Sequence, residues 1–194
     1  MLRTAVLLAA LPLMASCSTL APPGDLEPGC TEGICVIVEG PRPPDGRDMA
    51  IGDPQPNRSM TEAATLISVQ LIDAVGLELV EAFTASMDHQ ITGPVPPMPG
   101  DPGYDESMAN WAMRAPLAGS VVPPDDVLMV VLVLRPTLAG QCVYTKGYRL
   151  TYTQANRQHS ADKNIAVVMY PGDDGSVCED IVTYLQQHPA DPPR

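Results

Sequence analysis

Apolar positions along this chain recur with two different periods, and proline-rich stretches separate the segments that carry them. Four segments read as β-strands. Residues 34–39 (ICVIVE) are short, apolar and β-branched. Residues 126–135 (DVLMVVLVLR) form a nearly continuous apolar run, as a central strand covered on both faces requires. Residues 141–153 alternate, with Tyr144, Tyr148, Leu150 and Tyr152 on one face and Thr145, Arg149, Thr151 and Thr153 on the other. Residues 164–170 (NIAVVMY) supply one more strand.

The longer period predicts helices. From Ser59 to about Met87, the positions Leu66, Val69, Ile72, Leu79, Val80 and Phe83 follow helical spacing, with Asp73, Glu78 and Glu81 off that stripe. Ser59 and Glu62 fit a capping box, in which each side chain satisfies a free amide of the first turn. Gly76 marks a bend or interruption. Residues 105–113, around Trp111, predict a short helix. A second Ser-x-x-Glu pair, Ser176 and Glu179, opens a C-terminal helix with Val177, Cys178, Ile181, Val182 and Leu185 on one face. It must stop near His188 because Pro189 follows. Segments 41–56, 94–103 and 116–124 hold most of the 22 prolines and are expected as loops. The fold class expected from this pattern is α+β: an antiparallel sheet of three to four strands, with the long helix and the C-terminal helix packed on it. A single globular domain would span 30–190.

The first residues stand apart. Residues 1–16 (MLRTAVLLAALPLMAS) carry one charge, Arg3, and an apolar run of ten residues from Ala5 to Met14. A membrane-crossing helix needs about 20 apolar residues. This run has instead the length of a signal-peptide core. It leads into Met14-Ala15-Ser16-Cys17, which resembles the lipobox of bacterial lipoprotein precursors, with Met14 where Leu is commoner. The resemblance covers the first seventeen residues only. It implies lipid on the Cys17 sulfur, cleavage before Cys17 and acylation of the new N-terminus. Two or three acyl chains hold a protein on a membrane essentially permanently. Ser18 stands where an aspartate would favour inner-membrane retention, so the resemblance implies the periplasmic face of the outer membrane. Residues 17–29, with Pro22, Pro23, Gly24 and Pro28 and no apolar period, read as a lipidated tether.

With Cys17 assigned to lipid, Cys30, Cys35, Cys142 and Cys178 remain, an even set that suggests two disulfides in an exported chain. Three pairings are possible for four cysteines. If strands 141–153 and 164–170 pair antiparallel with Thr153 opposite Asn164, partner numbers sum to about 317. Cys142 then lies opposite a position near 175, a few residues from Cys178. This predicts Cys142–Cys178 as a staple of the last helix to the sheet, with Cys30–Cys35 a small local loop.

Charge removes some function classes. The chain carries a net charge of −12, so phosphate backbones and anionic lipid would repel it and no nucleic-acid partner is expected. Fifteen acidic residues between Cys17 and Glu106 face Arg42, Arg47 and Arg58, whereas Arg135, Lys146, Arg149, Arg157 and Lys163 face Asp162 alone within 127–172. Neutralisation of one half by the other across the fold, or plain solvation of both, is favoured over a basic face that meets an acidic partner.

Catalytic constellations are scarce. There is no Gly-x-Ser-x-Gly elbow, His-Glu-x-x-His or phosphate-cradling glycine loop. Ser160-Ala161-Asp162-Lys163 matches Ser-x-x-Lys, but the companion elements of that chemistry are missing and the tetrad falls in an expected polar turn. Asp173, Asp174 and Asp180 lack calcium-loop spacing and read as a turn and a loaded helix N-terminus. His89, His159 and His188 are scattered, so no metal and no cofactor is expected. Two of the three tyrosines at 144, 148 and 152 read as core. His89 and Trp111, beside the proline-rich loop, are the best exposed recognition candidates. The expected function is a non-enzymatic binding or assembly lipoprotein of the envelope with a protein partner. An inhibitor or immunity lipoprotein against an envelope-degrading enzyme is the alternative. The expected layout resembles that of small lipoproteins that assist envelope machines, an analogy of fold alone.

Overall fold

A computed structural model describes residues 24–26, 36–89 and 91–188. In chain order the strands are β1 (Val36–Pro41), β2 (Asp48–Pro56), β3 (Ala64–Ile72), β4 (Leu77–Ala85) and β5 (Gly93–Val95). Helix α1 (Tyr104–Ala112) comes next. Then follow β6 (Ala115–Pro116), β7 (Val121–Val122), β8 (Val127–Pro136), β9 (Val143–Thr145), β10 (Gly147–Gln154), β11 (Arg157–Lys163) and β12 (Ile165–Tyr170). A 3-10 turn (Gly175–Cys178) leads into α2 (Glu179–Gln187). No helix among the described residues is long and apolar enough to cross a membrane.

The fold is therefore mostly β, and the α+β expectation is wrong. Three sheets form among the described residues, with strand orders β5-β2-β8-β4-β6, β11-β10-β3-β7 and β1-β12-β9. The first two face each other. Val130, Leu132 and Leu134 of β8 pack with Leu66 of β3 and with Tyr148, Leu150 and Tyr152 of β10. The other face of β8 (Met129, Val131, Val133) packs with Phe83, Ile91, Val95 and the half-buried Trp111. β8 is thus the doubly covered central strand that its unbroken apolar run demands.

The long helix expected from Ser59 to about Met87 does not exist; β3 and β4 occupy that stretch and belong to different sheets. Between them Asp73 and Gly76 adopt left-handed backbone angles, φ 48° and 65°. A Cβ at Gly76 would also come within 2.5 Å of Val143 Cγ1, so glycine is required twice over at this turn. The helical spacing has a specific origin in two β-bulges. In β3 the register against β10 skips Ile67, and in β4 the register against β8 skips Val80. Each inserted residue shifts the alternation by one. The inward set in β3 becomes Ala64, Leu66, Val69 and Leu71, which contains a three-residue step that imitates a helix. The Ser59–Glu62 pair is real but local: Ser59 Oγ accepts the amide of Glu62 at 3.0 Å, in a turn that enters a strand.

The prolines mislead in the same way. β2 lies within the stretch 41–56 expected as a loop and pairs with β8 from Met49 to Pro56. Pro54 and Pro56 share one parity and stand past Ala50, where the pairing with β5 ends. The Asn57 amide donates toward β8, to the Asp126 carbonyl at 2.9 Å, so the alternate positions Pro54 and Pro56 turn their missing amides away from β8, outside that ladder, where a strand tolerates proline.

The third sheet carries the C-terminal helix. β1 pairs parallel with β12, and β9 pairs antiparallel with β12 through Val167–Thr145, Val168–Tyr144 and Met169–Val143. Those partners sum to 312, not 317, because the expected strand 141–153 is two strands and β10 takes β11 as its hairpin partner. The outer face of β12 (Ala166, Val168) is covered by Leu185, Ile181 and Val182 of α2. The short helix around Trp111 and the stop of α2 at His188 agree with the sequence. The N-terminal cap does not come from Ser176: the amide of Ser176 donates to Asp174 Oδ1 at 3.0 Å, so Asp174 caps the turn.

Candidate functional site

The richest gathering of charged and aromatic side chains outside the core lies under α2. Backbone geometry builds it from the junction of β9 and β10. Gly147 has φ 155°, and a Cβ there would sit 2.0 Å from the carbonyl oxygen of Lys163. The chain can pass this point only without a side chain, and it changes sheets there. Thr145 Oγ1 donates to the carbonyl of Ile72 at 2.8 Å, and the Lys146 amide donates to the same carbonyl at 3.0 Å. These bonds tie the junction to the end of β3 and point Lys146 and Arg149 into an open cleft of about 540 Å³.

Two ion pairs line it. Lys146 Nζ lies 3.3 Å from Asp73 Oδ2 and 5.5 Å from the centroid of the Tyr184 ring. Burial pulls the Lys146 ammonium down, but the hydrogen bond and charge of Asp73, with Tyr184, outweigh it and hold the group above its ordinary value. Arg149 stands directly opposite Asp162 in the β10–β11 hairpin. Its Nε and Nη2 donate to the two carboxylate oxygens at 2.6 and 2.7 Å, a fork that raises the guanidinium above its ordinary value. Both side chains stay cationic at every physiological pH. The opposite wall is α2, where Tyr184 and His188 stack at 4.6 Å and Gln187 adjoins them.

The wall is held by a cysteine pair. Cys142 and Cys178 sit at bonding distance, S–S 1.92 Å with Cα atoms 5.9 Å apart, and fasten the start of α2 beside β9. The predicted staple joins the predicted residues. Cys17, Cys30 and Cys35 lie outside the described residues, as does the whole segment 1–16.

A second polar cluster is sealed between the two large sheets. Tyr148 donates its hydroxyl proton to Asp53 Oδ2, and Gln55 Nε2 donates to the same oxygen at 2.6 Å and to the Tyr148 hydroxyl at 2.7 Å. Burial raises the Asp53 carboxyl above its ordinary value despite the opposing pulls of Tyr148, Lys163 and Gln55. The same burial, with the Asp53 charge, drives the Tyr148 hydroxyl well up. A third feature is an apolar groove of about 240 Å³ between β1–β12 and β2, lined by Val38, Met49, Ile51, Val167 and Met169.

The remaining sequence candidates disperse. Trp111 meets Phe83 edge-on at 5.4 Å and supports the Arg114 guanidinium at 4.2 Å, so it serves as a lid on the core. His89 is half-buried, its Nδ1 hydrogen-bonded to the Ser86 hydroxyl. Ser160 and Lys163 lie in β11, not in a turn, with Lys163 buried and Ser160 exposed. Tyr148 and Tyr152 are core, and Tyr144 joins the cluster under α2. The basic segment is largely neutralised by partners: Arg135 forks onto Asp48, Lys146 meets Asp73, and Arg149 binds Asp162. Among the described residues no group of three or more His, Cys, Asp or Glu side chains is placed to hold a metal ion. Sequence reasoning passed over the cleft because its parts are scattered along the chain, at 72–73, 146–149, 162 and 184–188. The lone sign was the concentration of positive charge between 135 and 163.

No family model matches the chain, and no curated protein matches it. Among solved structures, the ASH / PapD-like domain of human CEP192 (PapD-like domain 7) aligns with a TM-score of 0.38 and 8% identity, over 89% of this chain and 99% of that one. A likeness this loose informs neither fold nor function.

Proposed function

We propose that the mature chain is a non-enzymatic binding or assembly module of the bacterial envelope, lipid-anchored through Cys17 at the periplasmic face of the outer membrane, and that its protein partner engages the cleft under α2. The observation that carries this reading is the cleft itself: two cations and an aromatic wall, with the wall pinned by Cys142–Cys178. A pinned wall keeps a binding surface in shape without the ordering cost that a loose helix would add on association. A cysteine pair at bonding distance accords with an oxidising compartment, and the Met14-Ala15-Ser16-Cys17 tetrapeptide accords with export and lipidation.

Labelled palmitate fed to cells tests the anchor. The wild-type chain takes up label and Cys17→Ser does not; equal labelling of both removes the anchor from the proposal. Cross-linking in intact cells, followed by purification from solubilised envelopes, tests the rest. A resident envelope complex that is recovered with wild type and lost with Lys146→Gln supports the module. Recovery of a secreted hydrolase as the sole partner replaces it with an inhibitor.

A further inference from the structure

The chemistry of the cleft under α2 selects its ligand, and this inference rests on the binding-module reading. We propose that the cleft captures the terminal carboxylate of a peptide chain, with Arg149 and Lys146 as the carboxylate-binding residues.

Charge is the first argument. Lys146 and Arg149 contribute two positive charges, and Asp73 and Asp162 two negative ones, so the cleft is formally neutral in a protein of net charge −12. The two carboxylates are not equivalent. The Asp162 side chain is 6% exposed and both its oxygens are committed to Arg149. The Asp73 side chain is 63% exposed and makes a single 3.3 Å contact to Lys146, whose own side chain is 13% exposed, so it is the aspartate that can turn out into water, at little cost. An incoming anion displaces Asp73 from Lys146 and leaves Asp162 in place. The cleft then presents one net positive charge, which matches a carboxylate monoanion and under-matches a phosphate dianion.

Geometry is the second. Arg149 uses Nε and Nη2 for Asp162, and Nη1 has no partner among the described residues. The Arg149 side chain is 46% exposed and lines the cleft. A planar carboxylate can accept from Nη1 on one oxygen and from Lys146 Nζ on the other, a charge-assisted pair of hydrogen bonds.

The walls then distinguish a peptide from other carboxylates. The Tyr184 ring is already engaged by His188 and Lys146, which leaves it poorly disposed to stack on a sugar ring. Gln187 offers both a donor and an acceptor to a peptide group, and Ile72 offers an apolar contact to a small side chain. A cleft of about 540 Å³ falls in the range that small ligands fill.

Calorimetric and NMR titration of the full mature chain in detergent tests this with three probes: acetyl-trialanine with a free carboxylate, the same peptide as its C-terminal amide, and inorganic phosphate. The expected result is a Kd of about 1 mM or tighter for the free acid, with a shift of the Arg149 Nη1 resonance and at least a tenfold loss for the amide. Arg149→Lys keeps the charge but not the fork and weakens binding about tenfold. Lys146→Gln, which leaves Asp162 paired, weakens it by about three- to tenfold and guards against misreading a folding defect. Equal binding of acid and amide, tighter binding of phosphate, or binding that leaves Arg149 Nη1 unmoved overturns the proposal. If the free acid does not bind while Lys146→Gln still loses the cross-linked partner, the ligand class fails and the module stands. If the free acid binds but no partner is recovered from envelopes, the module fails and the carboxylate site stands.

Discussion

Tyr148 and Arg149 are neighbours on β10 and point to opposite faces of one sheet, so they set two kinds of polar chemistry side by side. Tyr148 is 1% exposed and closes a hydrogen-bonded set with Asp53 and Gln55 between the sheets. Arg149 reaches outward to Asp162 and keeps part of its guanidinium in water. Both end on an aspartate carboxylate, but burial separates what they are worth. Inside, no water can replace a lost partner, and the orphaned group bears its full desolvation cost. Outside, Asp162 stays covered beneath the fork, but solvent reaches the half-exposed guanidinium, and what Arg149 does not share with Asp162 is available for exchange. The inner cluster fixes how the two sheets meet; the outer one is free to serve a ligand.

Substitutions can break or sharpen this contrast. The largest loss is expected where the outer cleft is built. Cys142→Ser releases α2 and costs roughly 3 kcal/mol by freeing the unfolded chain, read as a fall in the urea midpoint. Tyr148→Phe follows, at about 2 kcal/mol, because Asp53 stays buried without its hydroxyl donor; a loss below about 0.5 kcal/mol would show that the inner cluster is not sealed. Arg149→Met is expected to cost about 1–2 kcal/mol, less than a fully buried pair because the guanidinium is half exposed. Lys146→Gln should lie within about 0.5 kcal/mol of wild type.

Acidity gives a further handle on the inner cluster. The folded Asp53 carboxyl titrates above its unfolded value. Its contribution to stability is therefore complete below the ordinary carboxylate range and is lost as pH rises through the folded value. Asp53→Asn should flatten that part of the stability profile, measured as urea midpoints across an acid-to-neutral series.

What could be read from the sequence follows from how local each signal is. β8 was plain because ten residues in succession are apolar or flank the run, and a strand covered on both faces needs no alternation. The stop of α2 was plain because proline acts on its immediate neighbour. The region 59–87 failed for a reason that is equally physical. The bulges at Ile67 and Val80 shift the inward positions by one residue, and their only marks are those two residues, 38% and 40% exposed. A bulge is chosen by the partner strand, which a periodicity count does not see. The Cys142–Cys178 pairing survived a register error of five because β9 still runs beside β12 and the chain returns through the turn at 175–178. The cleft was beyond reach for the same reason as the bulges: its walls come from four separated segments that only the tertiary fold brings together.

Leu26 has a further consequence. It lies within the stretch read as a tether, yet it is 1% exposed, bridges to Asn57 and packs in the core between the sheets. The Asp25 amide donates to Gln154 Oε1 at 2.8 Å, and the Asp25 carbonyl accepts from the Arg58 amide at 2.9 Å. On the proposed anchorage at Cys17, the leash ends where this plug enters the sandwich. A pull from that anchorage would enter the described fold at Leu26 and Asn57, on the rim of the two large sheets, and not at the stapled helix.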